Sequence, residues 1–304
     1  MKDIFTDIKE LIKFRLTLTV AFSASIAFLI GSKFQDQFSL LNWIYLTLGG
    51  FLVTGSASAF NELIEVDIDK LMVRTANRPL PAGRMATGKA LVISIIMGLL
   101  GISILSKLNF IVAILSFISI ILYAVVYTPL KTKSPVAVFV GAIPGALPPL
   151  LGYFGSFSLK LTDIQVEDRA WLAFVIIPFI LFIIQFIWQF PHFWAIAWFS
   201  DEDYRRGGIQ LLPTTKKDKI SAWIIFLSAF LMIPVAFLPY YYGMGTLIFV
   251  VIAFLGGAYF SYVAFRHLLL MTDRSAKKVM FASLLYLPII QLSLLLDFSL
   301  KLYK

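Results

Sequence analysis

Long apolar runs alternate with short polar connections along the entire chain. Nine runs reach the length of about 20 residues that crosses roughly 30 Å of hydrocarbon: residues 14–32, 41–64, 88–106, 109–128, 136–155, 170–199, 220–241, 244–270 and 278–300. The pattern predicts an all-α fold, a polytopic membrane helical bundle of about nine transmembrane helices forming one domain over residues 1–304. The sixth and eighth runs are longer than the hydrocarbon is thick, so they are expected to tilt or to project from it.

Composition agrees with a lipid solvent. The chain of 304 residues is 60% hydrophobic and 14% charged, with a mean hydropathy of +0.88, which excludes an ordinary soluble domain. Lys2, Lys9, Lys13 and Arg15 flank the start of the first run, and no small-residue cleavage site follows it, so it is expected to be a retained span. The absence of cysteine removes disulfides, thiolate metal sites and thiol redox chemistry. A net charge of +9 would suggest nucleic acid in a soluble protein; here it follows loop orientation, and no nucleic-acid partner is expected.

The N-terminus and the even-numbered connections hold twenty of the 26 Lys and Arg. This predicts a cytoplasmic N-terminus and a C-terminus on the far side of a bacterial cytoplasmic membrane. Twelve of the 17 acids lie on the same side. Positive-inside targeting does not require them there, so they need another cause.

The stretch from Asn61 to Arg84, NELIEVDIDKLMVRTANRPLPAGR, gathers most of that chemistry. Asn61, Glu65 and Asp69 stand at i, i+4 and i+8, one face of a helix that continues inward from the second run. Asp67 joins that face only where the backbone loosens before Lys70. Arg74, Arg78 and Arg84 follow, with Pro79, Pro81 and Gly83 ending the helix. Clustered carboxylates become favourable around a hard divalent cation, and Mg2+ takes one or two carboxylates together with phosphate oxygens, which the arginines would grip. The alternative is a loop of solvated charges.

A weak echo follows the sixth run in DEDYRRGGIQLLPTTKK, residues 201–217, where Asp201, Glu202 and Asp203 lead into Arg205, Arg206, Lys216 and Lys217. The two patches would face one cavity as half-sites. The fifth run carries GAIPGALPPLLG, residues 141–152, whose prolines and glycines predict a broken helix lining a cavity; a packing kink served by small residues explains the glycines equally well. Lys131 and Lys133, just before it, could reach a phosphate or simply set topology.

In the sixth run Gln185, Gln189 and His192 share one face, where polar groups are costly unless they point into the bundle. Ligation, proton transfer and plain packing remain open for His192, which Trp188, Phe190, Phe193, Trp194 and Trp198 surround in sequence. His267, beside Arg266, is expected to be a solvated interface residue. Two acid patches, flanking bases and a large apolar interior suit a substrate with a diphosphate head and an apolar tail, ionised so that water is kept from the cation.

These residues resemble a known family. NxxxExDxDKLMxRTxNRPLPxG from Asn61 is similar to the first aspartate-rich motif of the UbiA superfamily of intramembrane prenyltransferases. WQxPHFWAIA from Trp188, then Asp203-Tyr204 and Leu212-Pro213, resembles the second region of its heme-modifying branch. Glu65 stands where that branch usually has aspartate, and the general DxxxD pattern of the second region is absent.

The resemblance implies that farnesyl diphosphate ionises and that the farnesyl group joins a vinyl substituent of heme b. It implies a first Mg2+ site of Asn61, Glu65 and Asp69 with Asp67 supporting, and a second led by Asp203 with Asp201; Mn2+ would suit the same ligands. It assigns Arg74, Arg78, Lys131, Lys133 and Arg205 to the diphosphate, and His192, Trp188 and Gln189 to the heme. Heme A synthase or a terminal oxidase would be a protein partner. The competing readings are a transferase acting on a quinone precursor or other aromatic acceptor, and a secondary transporter, whose polar residues would sit nearer the midplane.

Overall fold

A computed structural model describes residues 4–157 and 171–298. Within them lie nine helices long and apolar enough to cross a membrane. A short amphipathic helix, α1 (Ile4–Leu11), precedes α2 (Phe14–Gln35) and α3 (Leu40–Ile64). The chain continues through α4 (Val66–Leu71), α5 (Thr87–Leu105), α6 (Phe110–Leu130) and α7 (Ala137–Gly155). It ends in α8 (Leu172–Phe199), α9 (Asp201–Arg206), α10 (Lys219–Tyr241), α11 (Leu247–Leu270) and α12 (Asp273–Asp297). No strand occurs among the described residues.

The starts of the long helices follow from polar caps set just before apolar runs. Ser39, Asn109 and Asp218 each accept a hydrogen bond from the backbone N–H three residues on. Thr272 and Ser275 form a reciprocal capping box. That box corrects the ninth span: it begins at Asp273 and not at residue 278, because the charged first turn is helical although it is not apolar. Lys2, residue 170 of the sixth run and residues 299–300 of the ninth lie outside the described residues.

α2, α3, α5, α6 and α7 pack as one group, and α8, α10, α11 and α12 as another; α7 against α8 and α2 against α12 join them. Small residues set the close approaches. A Cβ on Gly152 of α7 would collide with the carbonyl oxygen of Ala24 on α2, and one on Gly101 of α5 would lie 2.9 Å from the backbone nitrogen of Val53 on α3. Outward faces expose Leu99, Leu255 and Leu285, a surface suited to lipid.

α7 is where the expectation of a broken helix fails. It runs as α-helix through Pro144, Pro148 and Pro149. Pro149 lacks the N–H that would reach the carbonyl of Gly145, and Gln185 of α8 supplies a donor to that oxygen at 2.8 Å. Gln189 adds a second tie between the two helices, donating to Ala142 O at 2.9 Å. A side chain of the neighbouring helix thus satisfies the carbonyl that Pro149 frees, and the helix persists.

His267 is also corrected: it is fully buried and not solvated. Ser275 brings α12 over it, within 2.9 Å of Nδ1, and its ring meets Trp198 edge-on at 4.5 Å.

Candidate active site

α3 and α8 each end in a turn followed by a six-residue helix, α4 and α9, so the two acid-bearing arms leave the bundle in the same way. At the end of α3 the backbone loosens at Glu65 (φ −97°, ψ 10°), yet the helical bonds carry on: Glu65 N–H reaches Asn61 O at 3.1 Å and Asp69 N–H reaches Glu65 O at 2.7 Å. Asn61, Glu65 and Asp69 therefore stay on one face. All three are buried, at 1%, 3% and 1% exposure.

Each of the three meets a different cation. Lys13 donates to Asn61 Oδ1, Lys131 pairs with Glu65 Oε1, and Arg78 donates to Asp69 Oδ2 at 2.6 Å. Asn61 also donates to Glu65 Oε2 at 2.8 Å and to Thr128 Oγ1 at 3.0 Å. Burial pulls the Lys131 ammonium below its ordinary range, against the pull of Glu65. Lys13 is lowered to about 7 by burial first and by Arg78 and Lys131 next. The rings of Tyr123 and Tyr127 flank these ammonium groups, at 6.0 Å from Lys13 and 5.0 Å from Lys131.

The donor set suits a hard divalent cation. Asn61, Glu65 and Asp69 offer oxygen ligands only, and Asp69 Oδ1 is buried with no hydrogen-bond partner, an acceptor whose burial is costly unless something positive meets it. Among the described residues no three Asp, Glu or His side chains converge on one point, which leaves two carboxylates and an amide oxygen to be completed by phosphate and water.

The second arm is arranged differently. Asp203 accepts from the backbone N–H of Val73 at 2.7 Å and of Arg74 at 3.2 Å. Asp201 is held by Arg205 and Glu202 by Arg206, both at 2.9 Å. Arg74 lies over the ring of Tyr204, 5.5 Å from its centroid. Arg78 and Lys131 are thus brought to the acidic face and Arg74 to its edge, whereas Arg205 and Lys133 are exposed. Asp67 points away, 92% exposed and paired with Lys70.

On α8, Trp188 stacks on His192 at 4.8 Å and donates its indole N–H to Ser283 O at 2.7 Å. Ser283 commits its own proton to Met280 O, so His192 Nδ1 is the donor in its 2.7 Å bond to Ser283 Oγ, and Nε2 carries the lone pair. Gln189 is buried and engaged with α7. Sequence reasoning missed Lys13, which it treated as a topogenic flank, and Glu62, fully buried with Oε1 on Leu80 N–H and Oε2 without a partner. A carboxylate inside the apolar end of a span was the available signal for Glu62.

Among the described residues nine apolar helices enclose a buried acidic face ringed by cations at one end, which defines a polytopic membrane protein. Residues 20–285 match the model of the UbiA prenyltransferase family. The chain belongs to that family and is a prenyltransferase. It is 41% identical over 292 residues to the protoheme IX farnesyltransferase of Cytophaga hutchinsonii, covering 95% of this chain and 96% of that protein. Among solved structures it resembles a digeranylgeranylglyceryl phosphate synthase (TM-score 0.75, 19% identity, 96% and 98% of the two chains). It also resembles a UbiA homolog from Archaeoglobus fulgidus bound to GPP and Mg2+ (TM-score 0.61, 13% identity, 95% and 99%).

Proposed function

We propose that this prenyltransferase moves the farnesyl group of farnesyl diphosphate to a vinyl group of heme b, giving heme O. The observation that carries the reading is the buried face of Asn61, Glu65 and Asp69 with a separate cation on each. Similarity over nearly the whole chain to a protoheme IX farnesyltransferase supports heme as the acceptor, and the Archaeoglobus complex supports a prenyl diphosphate with a divalent metal.

Mg2+ or Mn2+, held by Asn61, Glu65 and Asp69, would neutralise the diphosphate and stabilise it as a leaving group. Arg78 and Lys131 would donate to phosphate oxygens once their carboxylates are shared, and Arg74 would add a planar donor at the edge. The C1–O bond of farnesyl diphosphate then breaks, and the apolar interior keeps water from the allylic cation. The terminal vinyl carbon of heme attacks C1, and water captures the resulting cation next to the porphyrin with loss of a proton, leaving a hydroxyethylfarnesyl side chain. His192, its Nδ1 held by Ser283 and Trp188 stacked behind it, would ligate or orient the heme through Nε2.

The charge distribution supports an N-terminus and acidic face in the cytoplasm, with the enzyme in the bacterial inner membrane. Heme O would pass to heme A synthase or to a terminal oxidase. The test is the heme content of membranes from bacteria lacking their own heme O synthase and expressing the wild type or Asp69→Ala. Farnesylated heme with the wild type alone is expected. A folded wild type that yields none while heme b is plentiful would overturn the acceptor, and quinone precursors would be tried next.

A further inference from the structure

The second acidic arm is held by contacts of its own. Its three carboxylates are engaged one by one: Asp201 and Glu202 by arginines on their own helix, Asp203 by two backbone N–H groups on the other arm. Those amides open the turn at residues 72–78, which is wound by Thr75 N–H and Ala76 N–H to Met72 O and by Arg78 N–H to Thr75 O. The first amides of such a turn have no partner within it. Asp203 takes two of them with one carboxylate, the part a capping residue plays within one chain segment, here supplied from 130 residues away.

The packing around this contact is tight. A Cβ on Gly207 would lie 2.9 Å from Ile68 Cγ2 and 3.2 Å from the Met72 side chain, so α9 rests directly on α4. Met72 is buried. Thr75, in the clamped turn, donates to the backbone oxygen of Asp69 at 2.9 Å, and the turn ends at Arg78, whose guanidinium holds Asp69. One carboxylate on the second arm therefore bears, through a short run of hydrogen bonds, on the acidic face of the first.

We propose that Asp203 is a positioning residue: it clamps the turn at residues 72–78 through the N–H groups of Val73 and Arg74 and so holds Arg74 and Arg78 in register with Asn61, Glu65 and Asp69, without ligating metal. The proposal rests on the diphosphate-binding reading above for what the register serves. Removal of the clamp loosens the turn and weakens the grip on diphosphate, while the oxygens of the first arm still bind the cation.

The experiment uses the full chain in lipid nanodiscs as wild type, Asp203→Ala, Asp203→Asn and Asp69→Ala. Backbone hydrogen exchange over residues 71–80 is expected to rise about tenfold in Asp203→Ala, with Asp203→Asn, which keeps one acceptor oxygen, in between. Binding of Mn2+ alone is expected to stay within about threefold of wild type in both Asp203 variants and to weaken by more than about tenfold in Asp69→Ala. KM for farnesyl diphosphate should rise more than kcat falls. Unchanged exchange in Asp203→Ala, or loss of Mn2+ binding equal to that of Asp69→Ala, overturns the clamp. Should Asp203→Ala fail to fold, Asp203→Asn decides by the same two readouts. Should the wild type bind no Mn2+ or transfer no farnesyl group, the metal or acceptor reading falls, and exchange at residues 73 and 74 still decides the clamp.

Discussion

Gln185 of α8 donates its side-chain amide to the carbonyl oxygen of Gly145 on α7 at 2.8 Å, and it reaches an oxygen that Pro149 leaves without its helical partner. The same glutamine accepts from Ser23 of α2 at 2.5 Å and from Gln291 of α12 at 3.0 Å. One side chain thus joins the two groups of helices at a carbonyl that the proline-rich helix leaves free.

Gln185→Leu should leave Gly145 O unsatisfied in an apolar interior and cost about 1–3 kcal/mol of unfolding free energy. Pro149→Ala restores an N–H four residues on from Gly145, so in that background the same substitution should cost less. Denaturant titration of the four proteins in detergent measures the difference. An identical cost in both backgrounds would mean that the glutamine is not standing in for the missing amide.

Asp69→Ala should lower farnesyl transfer by roughly a hundredfold or more, since it removes a buried oxygen from the face proposed to hold the metal and leaves Arg78 without its partner. Asp67→Ala should lose much less, because Asp67 meets only Lys70 and is almost fully exposed. Initial rates at saturating Mg2+ compare the two. A larger loss at Asp67 would require α4 to rewind in the working enzyme.

Much of this architecture was legible because lipid imposes a simple code. Runs of apolar residues marked the nine spans of the described residues, the charged first turn of the ninth apart, and the i, i+4, i+8 spacing of Asn61, Glu65 and Asp69 survived the loosened backbone at Glu65. What escaped depends on partners remote in sequence. Lys13 looks like any basic flank until its left-handed backbone (φ 49°) turns it onto Asn61, 48 residues away. The prolines of α7 suggested a break because Gln185, the donor that answers Pro149, stands 40 residues beyond Gly145. Asp203 reads as one acid in an acidic patch, and its bonds to two backbone amides cannot be inferred from residue types. His267 reads as solvated because the groups that meet it, Ser275 of α12 and Trp198 of α8, come from other helices.

Gly152→Ala would drive a Cβ into the carbonyl oxygen of Ala24, so α2 and α7 must part. The expected cost is about 1–3 kcal/mol, as for other overpacked contacts. Gly50→Ala meets nothing within 4 Å and should be neutral or slightly stabilising. Thermal unfolding in detergent distinguishes them, and equal melting temperatures would refute the close crossing.

α1 makes a strap across the acidic end. Arg84 donates to Asp7 at 2.8 Å and to Glu10 at 2.9 Å, and Leu11 is buried beside Ala59, Leu80 and Met85. These contacts fix α1 against the loop after α4, and the turn at Lys13 then carries its ammonium to Asn61. Arg84→Met leaves the buried Asp7 carboxylate without its cation, at a cost of about 1–3 kcal/mol. That cost falls on the docking of α1, because the long helices make their contacts without it. Hydrogen exchange over residues 5–12 should therefore rise while exchange in α3 and α8 stays as in the wild type. KM for farnesyl diphosphate should rise with it, since Lys13 moves with the strap. Exchange that rises everywhere would mean that Arg84 supports the whole bundle, and unchanged exchange at residues 5–12 would mean that burial of Leu11 holds α1 without the ion pairs.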